Sequence, residues 1–283
     1  MHEINYYGFL YALLLILMKF TANDLTILHQ AADVLETPGF SSRITKTVGG
    51  TVEKTLAILP AQVALSLNDI TRTALEKSLE GAIFTLNSRK SSIPFNKTHK
   101  FFAGLSGAIG GAFGLTAITI ELPISTTIML RSIADIARYH GENLSHANTK
   151  MACLEVFALS DNAKHGSETG YYAIRSLLAK VLADASSQLA TPALSKESSP
   201  LVSKAIRQIA SRFSIPLSEK LAAQTIPVIG AAGGAGINIL FISYFQDLAQ
   251  AHFSLRRLER KYTPELVKLY YQQYTAQQAK LGN

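Results

Sequence analysis

Charge is what this 283-residue chain has least of: Asp, Glu, Lys and Arg make up 17% of it, against about 25% in typical soluble domains. Hydrophobic residues reach 48% and the mean hydropathy is +0.17. Disorder as the general state is therefore excluded, and there is enough apolar material for one sizeable core or two halves. With so little polar surface, some apolar area is expected to be covered by lipid or by a partner.

Cysteine is nearly absent. Cys153 stands alone, so neither an intrachain disulfide nor a cysteine-based metal cluster can form, and a reducing, cytoplasm-facing location is compatible. Its neighbours from Met151 to Ala158 read as a helix interior, which favours a buried inert thiol over a nucleophile.

Catalytic signatures are also missing. No H-E-x-x-H occurs among the seven histidines, and the nearest pair, His140 and His146, is separated by a turn at Gly141. Gly104-Leu-Ser106-Gly-Ala108 misses a nucleophile elbow because Ala108 replaces the final glycine and no strand precedes it. Neither glycine-rich stretch continues into Gly-Lys-Ser/Thr or follows a strand, which excludes a P-loop and a dinucleotide fold. No catalytic, metal or cofactor-binding residue is assigned, and no cofactor is expected.

Basic charge is in modest excess, with a formal net charge of +7. Such a balance favours anionic partners. Nucleic acid is not among them, because there is no zinc-ligand array, aromatic RNA-binding signature or long Lys/Arg run. Anionic membrane lipid fits the charge and the apolar excess together.

What the sequence does have is two long uncharged runs, residues 101–120 and 221–246, of 20 and 26 residues. A helix needs roughly 20 apolar residues to cross a bilayer, so length permits insertion, although Ser106, Thr116, Gln224 and Asn238 within the runs also suit buried core. Each run carries a glycine-rich block, Gly107 to Ala112 and Gly230 to Ala235. Gly107/Gly111, Gly110/Gly114 and Gly230/Gly234 are spaced by four and Gly233 adjoins the last pair, a pattern that lets helices approach closely. An offset of 123 residues superposes the two blocks and also places Tyr139 on Tyr262 and Glu142 on Glu265. Two similar hairpins are one reading of that agreement, while mismatches such as Ile133 against Arg256 leave an internal duplication open.

Nearly every periodic segment reads as helix. One is expected over Asp24 to Glu36 behind an Asn23 cap and ahead of Pro38-Gly39, and a longer one after Pro60 through Ile83. The basic segment 87–99 reads as a loop. Pro123 is expected to break or kink the chain beyond Glu121, with a second arm reaching Tyr139. Helices near 146–160 and 168–190, a linker-like stretch at 191–200 and an amphipathic tail around Leu266, Leu269 and Tyr270 complete the chain. The apolar stretch Tyr6 to Met18, within an N-terminal extension 1–20, is short for a span and lacks a signal-peptide n-region. A start at Met18 is a second reading of that terminus. The expectation is an all-α multi-helix bundle, residues 21–283 forming one domain with two glycine-rich apolar helical hairpins and an association with membrane.

The run from Gly107 to Asn143, with Glu121-Leu-Pro-Ile-Ser125 and the arm Leu130 to Glu142, resembles the EcsC protein family. Supporting stretches are Cys153 to Ala158, Tyr171 to Arg175 and Ile226 to Gly230 with the helix that follows. The resemblance covers roughly residues 50–275. It implies a bacterial, helical protein encoded beside an ABC transporter implicated in secretion, hence an accessory or regulator of membrane transport or protein export. The implied location is the cytoplasmic side of the inner membrane, peripheral or partly inserted, or else the cytoplasm, and the implied partner is an ABC transporter or another membrane protein. No catalytic residue is carried over.

Certain polar residues stand out for function. Glu121 closes the first uncharged run and is placed to pair with Arg131, or else to bond amides near the kink or face solvent. Arg131, Asp135 and Arg138, spaced by four and three, share one helical face, expected to be solvated and placed for an i,i+4 and an i,i+3 ion pair. His140 follows them. Arg256, Arg257, Arg260 and Lys261 form a basic cluster suited to lipid head groups. A hydrolase acting on lipid or peptide, with Ser106, Glu121, Asp135 and His140 as first residues to mutate, and a soluble helical interaction domain are the alternative functional readings.

Overall fold

The computed structural model describes residues 20–37, 39–48, 61–85, 118–160, 170–190, 199–224 and 230–281, without the side chains of 47–48, 61–65, 80–85, 118–120 and 230–235. Among the described residues there are nine helices and no strand, so the fold is all-α. The elements are α1 Ala22–Leu35, α2 Phe40–Val48, α3 Ala61–Thr85, α4 Ile118–Tyr139, α5 Ala147–Ala158, α6 Gly170–Leu189, α7 Pro200–Gln224, α8 Gly230–Lys261 and α9 Pro264–Leu281. The N-terminal extension, the 87–99 segment, most of the 191–200 stretch, Ser106 and the first glycine block (Gly107, Gly110, Gly111, Gly114) lie outside the described residues.

α8 is the spine. Its 32 residues span about 48 Å at ~1.5 Å per residue, and α1, α2, α4, α5, α7 and α9 all pack on it. Five residues separate α7 from α8, so the two run antiparallel as short helix connections require. Ser132–Gln246, His140–Gln250 and Glu142–Arg256 contacts advance together along both chains, which sets α4 parallel to α8. Where α5, α7 and α8 meet, Phe157, Phe213, Phe241 and Phe245 interlock with ring centroids 4.7–6.1 Å apart, a spacing at which edge and tilted ring contacts add to burial.

Local chemistry explains several helix ends. Thr21 rather than Asn23 caps α1: its Oγ1 accepts from the Asp24 amide at 3.2 Å and donates to the Asp24 carboxylate at 2.8 Å, a reciprocal capping arrangement. Glu36, just past α1, accepts from the first amides of α6, Gly170 and Tyr171, at 3.2 and 3.3 Å, where the helix N-terminus attracts negative charge. α4 closes at Gly141, φ +84°, with Glu142 N–H donating to Ala137 and Gly141 N–H to Arg138. This is a Schellman ending that needs a residue at ease in the left-handed region.

Two expectations about prolines and spans change here. Pro123 does not break the chain: α4 is continuous through it, the one i→i−4 bond that proline forfeits being offset by the packing of α4 on α3 and α8. The second glycine block likewise does not turn back on itself within 230–261, where Gly230, Gly233 and Gly234 belong to the first turns of α8. Among the described residues no helix is long and apolar enough to cross a membrane. In the described part of the second run, Ile237, Asn238, Phe241, Ile242, Tyr244, Phe245 and Gln246 are buried in the bundle. In the tail, Leu266, Val267 and Tyr271 face the core while Leu269 is exposed.

Phe213 contributes to this core from α7 with no accessible surface. Phe213→Ala is expected to cost about 3–5 kcal/mol through lost transfer energy and a residual cavity, measured as a lower urea midpoint at unchanged slope.

Candidate functional site

Polar residues run through the apolar interior of the bundle, and Glu121, Asp135 and Arg138 of α4 find partners there. Glu121 pairs with Lys220 of α7 at 2.9 Å, with side-chain exposures of 10% and 2%, and the Lys220 ammonium also lies 5.3 Å from the Phe241 ring centroid. The partner is thus Lys220 in place of Arg131, the long lysine side chain bridging from α7 to α4. Asp135 and Arg138 form the expected i,i+3 pair at 2.7 Å, but both side chains are only 15% exposed. Their stretch of α4 packs against neighbouring helices rather than forming a solvated face. Arg131 is exposed.

At the end of α4 the Schellman turn delivers Glu142 to α8. Arg256 Nε donates to Glu142 Oε1 at 2.8 Å, Arg260 reaches the same oxygen, and Thr149 Oγ1 donates to Oε2 at 3.1 Å. Burial works against the Glu142 carboxylate, yet the two guanidiniums hold its pKa below the usual 4.5. Arg260 also donates to the His140 carbonyl at 2.6 Å. The His140 ring is buried, with Nε2 at 2.7 Å from Gln250 Oε1, and burial together with Arg257 and Arg260 lowers its pKa. Lys261 pairs with Asp24 at 2.6 Å, and Tyr262 donates to the same carboxylate, holding Asp24 down at about 2. Of the basic cluster, then, Arg256, Arg260 and Lys261 each meet a carboxylate of the fold, while Arg257 is exposed.

A second, deeper network joins α5, α6 and α8. Tyr171 Oη lies 3.0 Å from His252 Nδ1, and His252 Nε2 lies 3.8 Å from Glu155 Oε2. Arg175 forks onto Glu259 at 2.5 and 3.2 Å. Desolvation pushes Glu155 up and His252 well below its usual value, so both neutral forms are favoured there. The Cys153 thiol, fully buried in α5, is raised to about 12 and stays protonated, consistent with an inert core sulfur.

These groups do not converge on a solvent-reached catalytic constellation. Glu121 and His140 are 19 residues apart on one helix, about 28 Å, and the Tyr171–His252–Glu155 set is sealed in the core. No group of three or more His, Cys, Asp or Glu among the described residues is arranged to hold a metal ion. Sequence reading missed Lys220, Glu142, Glu155, His252 and Glu259 as functional partners. The available signal was their phase: Gln246, His252, Arg256 and Glu259 fall on the side of α8 that also carries its apolar stripe.

Fold and site together define an all-helical bundle locked by buried polar pairs. The chain belongs to the EcsC protein family, whose family model matches residues 23–258. Comparison with curated proteins and with solved structures yields no match.

Two outcomes test the locks. Glu121→Gln leaves Lys220 buried without its counter-charge and is expected to destabilise the fold by about 3–5 kcal/mol, whereas E121L/K220M, removing both charges, is expected to recover most of that loss in chemical denaturation. Glu142 has its folded pKa depressed, so its stabilisation is present above the unfolded value of 4.5 and is lost as pH falls below it. Thermal melts from neutral pH down to pH ~3 should therefore fall more steeply for the wild type than for Glu142→Gln.

Proposed function

We propose that this EcsC family member is a non-enzymatic, membrane-associated helical protein that serves as an accessory or regulator of membrane transport or protein export. It stands on the cytoplasmic side of the inner membrane, with anionic lipid as its surface and an ABC transporter or another membrane protein as its partner. One observation carries the reading. Glu121 is the charge that ends the first uncharged run, Lys220 is the charge that precedes the second, and the two are ion-paired at 2.9 Å. The residues that bound the two runs therefore meet in the bundle, which supports a single apolar end suited to a bilayer surface.

Depth is limited by the packing of α8. Residues 236–246 are largely core, and the 11 residues 225–235 would extend only about 16 Å as a helix, half of a ~30 Å hydrocarbon layer. Shallow, peripheral contact fits this geometry better than a span. The buried half of the run also favours a second reading, a helical interaction domain whose glycine block is simply packing surface. A hydrolase draws little support, because Glu121, Asp135 and His140 are each held by structural partners along one helix.

Flotation of the full chain with vesicles separates the first two readings. Co-flotation with phosphatidylglycerol/phosphatidylcholine vesicles at low salt, weaker with phosphatidylcholine alone, is the expected result. Protein that stays at the bottom of the gradient as a monodisperse species overturns the membrane reading in favour of the interaction domain.

A further inference from the structure

α1 and α8 lie side by side in opposite directions, and their outer edges leave a groove. One cavity of about 500 Å³ runs between Asn23 and Gln30 on α1 and Gln250, Ser254 and Arg257 on α8, with His140 in its wall. A second, of about 260 Å³, continues it past Arg43 and Lys46 on α2. Val34 and Asp247 line both, so the two cavities adjoin. From Tyr244 to Arg257 the groove's α8 wall is 14 residues long, a rise of about 20 Å, the length of roughly six extended residues at ~3.3 Å each.

Its chemistry is graded. Positive charge stands at both ends, Arg257 at one and Lys46, beside the Arg43–Asp247 pair, at the other. The acidic residue in the wall, Asp247, is neutralised by Arg43 at 2.7 Å. Arg257 and Lys46 are exposed and form no ion pair among the described residues. Between the ends the floor is apolar, from Ile27, Ala31 and Val34, with amides and hydroxyls from Asn23, Gln30, Gln250 and Ser254 along the rims. Those rim groups can meet the N–H and C=O groups of an extended chain. His140 also has a buried Nδ1 with no hydrogen-bond partner in this wall, while its Nε2 holds Gln250.

We propose that the α1/α8 groove is a docking site for an extended peptide segment of a partner protein, about six residues long, apolar at its centre and acidic at its ends. Arg257 and Lys46 receive the carboxylates, and the rim amides receive the backbone. Charge complementarity selects this occupant. A basic segment would meet like charge at both ends, and a purely apolar one would leave Arg257 and Lys46 facing it without counter-charges. The site is formed by described helices away from the glycine-rich end, so it stands whether or not the protein binds membrane.

Fluorescence anisotropy with a labelled heptapeptide tests it, the probe bearing two glutamates at each end and an apolar centre. A counterpart with lysine in place of glutamate serves as the control. The wild-type full chain is expected to bind the acidic peptide and not the basic one. R257A/K46A is expected to weaken binding by about tenfold, the loss from two exposed charge contacts. K204A/R207A removes the same charge from an exposed stretch of α7 and is expected to leave affinity unchanged. Circular dichroism checks that both double variants stay helical. Three outcomes overturn the proposal: no binding of the acidic peptide, equal weakening by the two double variants, or no peptide binding together with vesicle binding that R257A/K46A abolishes. The last would make the groove a head-group site.

Discussion

The buried ion pair between Glu121 and Lys220 governs how this bundle is put together. Taking both charges out of water costs several kcal/mol, which their attraction offsets only when the geometry holds. Here the 2.9 Å contact and the nearby Phe241 ring supply that geometry. A slip of α7 by one helical turn, about 5.4 Å, would leave both groups stranded. The pair therefore penalises other registers of α4 against α7 and α8 more strongly than apolar packing alone, which tolerates many near-equivalent arrangements of Leu, Ile and Ala.

The same logic repeats along α8. Gln246 meets Ser132, His252 meets Tyr171, Arg256 meets Glu142 and Glu259 meets Arg175, so successive turns are matched to α4, to the Gly141–Glu142 turn and to α6. Apolar matter supplies the driving force, through Phe213, Phe241, Phe245, Phe253 and the leucines between them. Polar matter decides the alignment. Glu36 extends the pattern to the periphery, accepting from α6 amides and from the Tyr271 hydroxyl at 2.7 Å, so α1, α6 and α9 share one carboxylate.

How far this was legible in the sequence depended on whether a feature was local. Helices α1, α3, α5, α6 and α9 follow from apolar periodicity and from Pro and Gly punctuation, and the Asp135–Arg138 pair follows from i,i+3 spacing. Residues near in space but distant in sequence did not: Lys220 is 99 residues from Glu121, and Arg256 is 114 from Glu142. Pro123 misled because the packing of α4 on α3 and α8 carries the helix through the one backbone bond that a proline forfeits. Thr21 displaced Asn23 as cap because its hydroxyl can both accept from the Asp24 amide and donate to the Asp24 carboxylate, a reciprocity the isolated residue type does not reveal.

The distribution of charge along α8 bears on how recognition is divided. Gly230 and Arg256 are 26 residues apart on one continuous helix, about 39 Å, so a bilayer touching the glycine-rich end would not also touch the basic cluster. That cluster is in any case largely discharged internally, since Glu142 takes Arg256 and Arg260, and Asp24 takes Lys261. Exposed cations such as Arg257 and Lys46 remain to act outward, and they flank the α1/α8 groove rather than the glycine block. In the proposed arrangement, lipid contact at one end would add apolar surface to attraction for anionic head groups, and partner contact along the side would rely on charge alone. Salt would then weaken the second more than the first, giving the two modes of recognition separate physical signatures on one rigid helix.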